Sequence, residues 1–350
     1  MSANHPHPDQ NWINETVAVL EAWLEFPTNS PTSQITGGGA IAVAESIFAG
    51  HHEARPCFMV PSATYGMRAA LKALGVTAGS EVLIPGTDWP STFAAVQSLG
   101  ANAIPVPVEH TTLTIDPTEI ARHRTRSTRA VVAGHLHGVI AGVPAIREAL
   151  GDDLPIIEDA AQSLGSTLDG RPAGILGDAA VFSFGPEKAI DVGEAGMVVA
   201  RDESVREAIL HEIGHPARQL LGGVGFLKLG NFSVRPNPLG AVLLAQRLRT
   251  WDPDSRRFDH ANLSDELDAL VGVAVIGRGL RRANGAETVP VRVETGRMNG
   301  LGGYRISTSG ARDIVALASG VMTTLNSFLV SRRPHHGSDA AIAATKEKRP

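Results

Sequence analysis

Two side chains in this sequence could do chemistry as a pair. Lys188 closes the run Val181-Phe-Ser-Phe-Gly-Pro-Glu-Lys188, and Asp159 closes Ile156-Ile-Glu-Asp159, followed by Ala-Ala-Gln162. Each follows a short apolar run that gives way to turn residues, so each is expected near the end of a buried strand. A lysine amine forms a Schiff base with an aldehyde. A carboxylate holds a proton on a pyridine nitrogen through a charge-assisted bond, and the protonated ring then acts as an electron sink. An aspartate at one strand end and a lysine at a later one is the pairing that pyridoxal phosphate (PLP) chemistry needs. Each residue alone has a plainer explanation. Asp159 would cap the following turn, and Lys188 would be a solvated surface lysine.

Other residues supply what the pair lacks. Ser62, Ala63 and Thr64 follow an apolar run and open a helical stretch. Hydroxyls and backbone N–H groups at a helix start cradle an anion, although an ordinary Ser/Thr cap has the same pattern. Trp89, in Pro85-Gly-Thr-Asp-Trp89, offers an indole that could stack on a flat ring; a lone Trp is more often core or interface. Ser183, five residues before Lys188, is close enough across a turn to bond a phosphate whose aldehyde meets the lysine.

Two further motifs carry less. His211-Glu-Ile-Gly-His215 spells the HExxH zinc-hydrolase pattern, which needs both histidines on one continuous helix with Glu212 as base. Gly214 and Pro216 bracket the second histidine and signal a helix stop, so His215 is expected beyond the helix end. Gly37-Gly-Gly-Ala-Ile-Ala42 fits a loose dinucleotide pattern, but Asn29-Ser-Pro-Thr-Ser33 before it is no strand.

The elements that must position these residues alternate. The expected strands are Cys57–Val60, Glu81–Ile84, Ala103–Val108, Ala130–Gly134, Ile156–Glu158, Ala179–Phe184 and Met197–Ala200. Helices are expected at Gly66–Leu74, Ser91–Leu99, Val143–Leu150, Val205–Ile213 and Leu239–Trp251. Short apolar strands alternating with helices predict an α/β fold with a mostly parallel central sheet flanked by helices. Ligands gather beyond the carboxyl ends of such strands. The organisation is read as an N-terminal arm and helix (1–36, helix about Glu15 to Phe26), a large cofactor-binding domain (37–250), a smaller C-terminal domain (251–333) and a disordered tail (334–350).

Composition narrows the class. The chain has 350 residues, 43% hydrophobic and 19% charged, with a net charge of −5. No basic block favours nucleic acid. The single cysteine, Cys57, cannot form an intramolecular disulfide or a cysteine-based zinc site. No apolar run approaches the ~20 residues of a membrane span, and the polar, proline-rich first residues do not read as a signal peptide. A cytoplasmic location is expected.

In order, Ser62–Thr64, Pro85–Trp89, Gly100–Val106, His135-Leu-His-Gly138, Glu158–Gln162, Ser183-Phe184, Lys188, Gly193-Glu-Ala-Gly196 and Gly230-Asn-Phe-Ser-Val-Arg235 resemble the DegT/DnrJ/StrS family of sugar and aminocyclitol aminotransferases, of PLP fold type I. The resemblance runs from about residue 37 to 250. It implies an internal aldimine on Lys188, which later shuttles protons, and Asp159 on the pyridine nitrogen. It implies Gln162 near the phenolic oxygen, Trp89 over the ring, and Ser183, Ala63 and Thr64 around the phosphate. It also implies Asn231 reaching in from a second subunit, hence a homodimer with shared active sites. The implied reaction moves an amino group from glutamate or glutamine to a keto-sugar or keto-cyclitol. Ala63, His137 and Ala195 replace a glycine, a tyrosine and a glycine common in the family, and the part after Trp251 is short. That short part motivates an alternative, a non-catalytic member serving as a partner or regulatory subunit.

Overall fold

The computed structural model describes residues 35–252 except 110, 152, 187 and 230–233, residues 13, 14, 16–18, 20 and 21, and three strands between residues 273 and 307. Of the expected arm helix, residues 16–18, 20 and 21 are helical. The expected tail at 334–350 lies outside the described residues.

A seven-stranded sheet forms the centre. Its strands are β1 (Cys57–Val60), β2 (Glu81–Pro85), β3 (Asn102–Val106), β4 (Thr128–Gly134), β5 (Ile156–Asp159), β8 (Ala179–Ser183) and β9 (Gly196–Ala200), in the order β1-β9-β8-β5-β4-β2-β3. A small hairpin, β6 (Thr167–Leu168) with β7 (Arg171–Pro172), lies outside it. The pairs from β8 through β3 are parallel, whereas β9 runs antiparallel to both β8 and β1. The reversal of β9 brings its first residue, Gly196, level with the last residues of β1 and β8. β10 (Val273–Val275), β11 (Thr288–Val293) and β12 (Gly303–Ser307) form a separate antiparallel sheet.

The central strands are buried on both faces, and side-chain alternation divides the core. Val82, Val132, Val181 and Val198 point to one face, under α2 (Ala63–Ala73), α3 (Pro90–Gln97) and α6 (Glu203–Ile213). On the other face, Phe182, Met197 and Val199 pack against α1 (Ala40–Gly50) and α8 (Pro238–Thr250). Further along that face, Leu83, Val131 and Ile156 pack against α4 (Pro117–His123) and α5 (Val143–Leu150). A short helix, α7 (Pro216–Leu221), follows α6.

The helix starts follow local chemistry. Ser62, Asp116, Asp202 and Asn237 each accept a backbone N–H at the start of α2, α4, α6 and α8. Pro90, Pro117 and Pro238 take first positions, where no helical N–H is needed. This explains the differences from expectation. The helix expected from Gly66 begins at Ala63, because Ser62 is its cap. The strand expected to reach Val108 stops at Val106, and Val108 keeps only an isolated bridge to Ile115. The expected strand ending at Phe184 stops at Ser183. The Gly37-Gly-Gly run leads into α1, which the sequence reading did not anticipate; Gly37 and Gly39 have positive φ there.

Gly196 joins the sheet to the helix that starts the site. A Cβ at this position would lie 2.7 Å from Ala63 N and Ser62 C. Backbone atoms cannot rotate away as a side chain can. Gly196→Ala is therefore expected to cost about 1–3 kcal/mol. In urea unfolding this appears as a lower midpoint with an unchanged slope; an unchanged midpoint would show that α2 is not held against β9 as described.

Candidate active site

The strand ends meet at one cavity of about 270 Å³, just below the range for small-ligand sites. Ser62, Ala63, Thr64, Trp89, Asp159, Gln162, Ser183 and Lys188 all line it. Every candidate read from the sequence is there except Asn231, which lies outside the described residues. Asp88, His135 and Glu194 line it too.

The start of α2 forms one wall. Ser62 Oγ accepts the N–H of Tyr65 at 3.2 Å, so the cap reading holds, and the hydroxyl keeps its own hydrogen to donate. No acidic residue occupies the first turn, which leaves the positive end of the helix dipole for an anion. Across the cavity, Lys188 follows β8 in a turn where its N–H meets the carbonyl of Gly185 at 3.3 Å. Phe184 donates to Ala195 and receives from Val192. These bonds close the loop between β8 and β9 and hold Lys188 at the strand end. Ser183 Oγ accepts from Gly185 at 3.4 Å.

Asp159 ends β5. Its Oδ1 accepts the N–H of Ala161 at 3.2 Å, and its Oδ2 accepts the hydroxyl of Thr92, from α3, at 3.0 Å. The capping explanation and a ligand-facing one are thus compatible. Gln162 is fixed by its Oε1, which accepts the N–H of His137 at 2.9 Å. This leaves its amide N–H groups as donors. Trp89 is 53% exposed at the cavity rim, a position that suits stacking on a ligand better than service in the core.

A buried pair underlies this wall. His135 Nε2 bonds Glu158 at 2.8 Å, and His135 Nδ1 accepts the N–H of Ala141 at 3.2 Å. An accepting Nδ1 puts the proton of a neutral ring on Nε2, which donates to Glu158. Glu158 also receives the N–H groups of Gly174, Leu176 and Gly177. Burial pushes the Glu158 carboxyl up, but the His135 bond and these backbone donors outweigh it and hold it below its ordinary value.

Asp88 is different. Its Oδ1 accepts the N–H of Trp89 at 2.8 Å, while its buried Oδ2 has no hydrogen-bond partner. Burial, then the charge of Asp159, push its pKa up to about 7, against the opposing pull of the Trp89 N–H and the Thr92 hydroxyl. The sequence reading named Asp88 within Pro85–Trp89 but gave it no task. The signal was a carboxylate just before the rim tryptophan. Nothing in the sequence joined Thr92 to Asp159, 67 residues away.

The site combines an anion-seeking helix start, an amine, a carboxylate for a basic ring nitrogen and an indole. That donor set suits a phosphorylated heteroaromatic aldehyde. The profile of the DegT/DnrJ/EryC1/StrS aminotransferase family matches residues 26–299. The chain belongs to this family. It is 32% identical over 252 residues to a 3-amino-5-hydroxybenzoate synthase of Amycolatopsis mediterranei (strain S699), a match covering 70% of this chain and 64% of the relative. It is 37% identical over 236 residues to an L-glutamine:2-deoxy-scyllo-inosose aminotransferase of Streptomyces fradiae, covering 64% and 55%. The matched parts thus span less than two thirds of those relatives. The crystal structure of 3-amino-5-hydroxybenzoic acid (AHBA) synthase is similar at a TM-score of 0.70 and 29% identity, over 84% of this chain and 76% of that one.

Within the DegT/DnrJ/EryC1/StrS frame, two departures noted from sequence are tolerated by the backbone. Neither Ala63 nor Ala195 has positive φ, so a methyl group brings no left-handed strain. His137 does have positive φ, at 56°, and is buried. The HExxH reading fails on geometry. His211 lies in the last turn of α6 and bonds the carbonyl of Phe226, His215 caps α7, and Glu212 pairs with Lys72 and Lys228.

Asp88 sets a pH expectation for the cofactor-free protein. Its folded pKa lies above the unfolded one, so the folded state binds more protons between the two values. Its stabilising contribution is complete below pH ~3.8 and is lost as pH rises through about 7. Relative to Asp88→Asn, the wild type should lose a few degrees of Tm between pH 5 and 8. Parallel Tm profiles for the two proteins would contradict the buried, proton-holding Asp88.

Proposed function

We propose that this chain is a PLP-dependent aminotransferase that moves an amino group from glutamine or glutamate to a keto-cyclitol or keto-sugar. The observation that carries this reading is that Lys188, Asp159 and the Ser62–Thr64 helix start surround one cavity. Bound PLP supplies an electron sink for the pair released at the amino-acid α-carbon. The chain's residues do the rest. Lys188 would hold the aldehyde through its amine and, once the donor's amine has displaced it, would be free to take the α-proton and give it back later in the transfer. Asp159 keeps a proton on the ring nitrogen, with Thr92 fixing the orientation of its carboxylate. Gln162 donates to the ring's phenolic oxygen, and the His137 N–H holds the amide in place. Ser62, Ala63, Thr64 and Ser183 hold the phosphate, and Trp89 covers the ring face and excludes water.

The donor and acceptor classes rest on the relatives. One is a glutamine-dependent inosose aminotransferase, and the acceptor class follows from its name. A homodimer with Asn231 reaching into the neighbouring site is part of the proposal. Leu220, Leu221, Phe226 and Leu229, all more than 60% exposed, lie on the segment leading to Asn231 and offer apolar area for a second copy. A cytoplasmic setting is part of the proposal. The short span against the curated relatives favours one second reading, a family member that binds partners without catalysis.

The test is amino transfer from glutamine to scyllo-inosose or 2-deoxy-scyllo-inosose, followed by product analysis. Lys188→Ala is expected to lower turnover roughly 10³-fold or more while the fold persists. Wild-type turnover in Lys188→Ala would exclude the proposed mechanism. A wild-type protein inactive with every keto-cyclitol and keto-sugar offered would favour the non-catalytic reading.

A further inference from the structure

Asp88, in the loop between β2 and α3, has no task in the function above, yet its surroundings are those of a working group. Its Oδ2 is buried without a partner. The carboxylate lies against the end of β4, where a Cβ on Gly134 would meet both of its oxygens at 3.3 Å. Asp159 and the Thr92 hydroxyl both act on its charge, while that hydroxyl donates its hydrogen to Asp159. The other titratable groups lining the cavity are His135, Lys188 and Glu194.

Two half-buried carboxylates lining one cavity do not both ionise readily, and their protons belong to the pair. Thr92 gives its hydrogen to Asp159, and the buried Asp88 Oδ2 receives no donor, so the site favours the state in which Asp88 carries a proton.

We propose that Asp88 is a second working carboxylate of the cofactor site: it holds one proton for the Asp88–Asp159 pair in the empty site and gives it up when a ring nitrogen binds as a cation opposite Asp159. The inference rests on the PLP reading above. The step is a proton transfer without electron exchange. The Asp88 O–H bond would break, and its proton would be taken up at the ring nitrogen. Where the nitrogen arrives already protonated, the proton leaves to bulk water instead. Asp159 would then hold the proton of the cationic nitrogen while Asp88 carries a second negative charge. Asp88 is thus a positioning residue, acting on the ring through Asp159.

The readout is the number of protons exchanged on binding. PLP is titrated into the cofactor-stripped full chain by calorimetry, in buffers of different ionisation enthalpy, at pH 6 and pH 8.5. At pH 6 the wild type should release one more proton per bound PLP than Asp88→Asn. Lys188 chemistry is common to both proteins and cancels in the difference. At pH 8.5, where Asp88 is charged before binding, the counts should converge and the wild type should bind about tenfold more tightly. Asp88→Thr, also neutral, carries the same expectations should the asparagine variant not fold. Equal proton counts at pH 6 would overturn this proposal alone. A wild type that binds no PLP would overturn it together with the reading on which it rests.

Discussion

The buried carboxylate of Glu158 fixes the frame in which this site works. It is fully buried, and its charge is tolerable only because four donors converge on it: the N–H groups of Gly174, Leu176 and Gly177, and Nε2 of His135. Those donors come from two places, the end of β4 and the loop before β8. His135 also gives its backbone N–H to the carbonyl of Asp159. Glu158 thus ties together the strands whose ends carry the chemistry. Because strand side chains alternate, turning Glu158 inward turns the next residue, Asp159, the other way. Gly177 permits the close approach, since a Cβ there would lie 2.7 Å from the carbonyl of Ile156.

Sheet topology supplies the other half of the geometry. Parallel strands present their carboxyl ends on one side of a sheet, so the residues after β1, β2, β4, β5 and β8 meet there. The reversed β9 brings Gly196 to the same side, close under Ser62 and Ala63. The loop from β8 to β9 therefore starts and ends at the site, and Lys188 is carried on a short tether anchored at both ends. Such anchoring would matter for an amine that captures an aldehyde, because a small misplacement weakens capture.

Much of this was legible in the sequence, and for physical reasons. The strands are short apolar runs bounded by turn residues, and the helix starts carry capping side chains and prolines. Lys188, Asp159, Ser62–Thr64, Trp89, Gln162 and Ser183 were identifiable because each stands where an apolar run ends. Glu158 looked like a routine strand residue, since its importance comes from donors 16 to 19 residues later. Asp88 and Thr92 were opaque for the same reason. Spacing says nothing of a helix hydroxyl that reaches across to a carboxylate at a strand end. Helix α1 was missed because its apolar content is high all round, which blurs the periodicity that marks an amphipathic helix. Asn231 lies outside the described residues.

The central claim is that these strand ends assemble a site for PLP on Lys188 that accepts an amino donor. The most direct measurement is the visible absorption spectrum of the purified protein supplied with PLP, before and after glutamine or glutamate is added. After removal of unbound PLP, a yellow band is expected that differs in Lys188→Ala and that bleaches when the donor is added. A protein left colourless by this treatment would rule out a PLP site on Lys188.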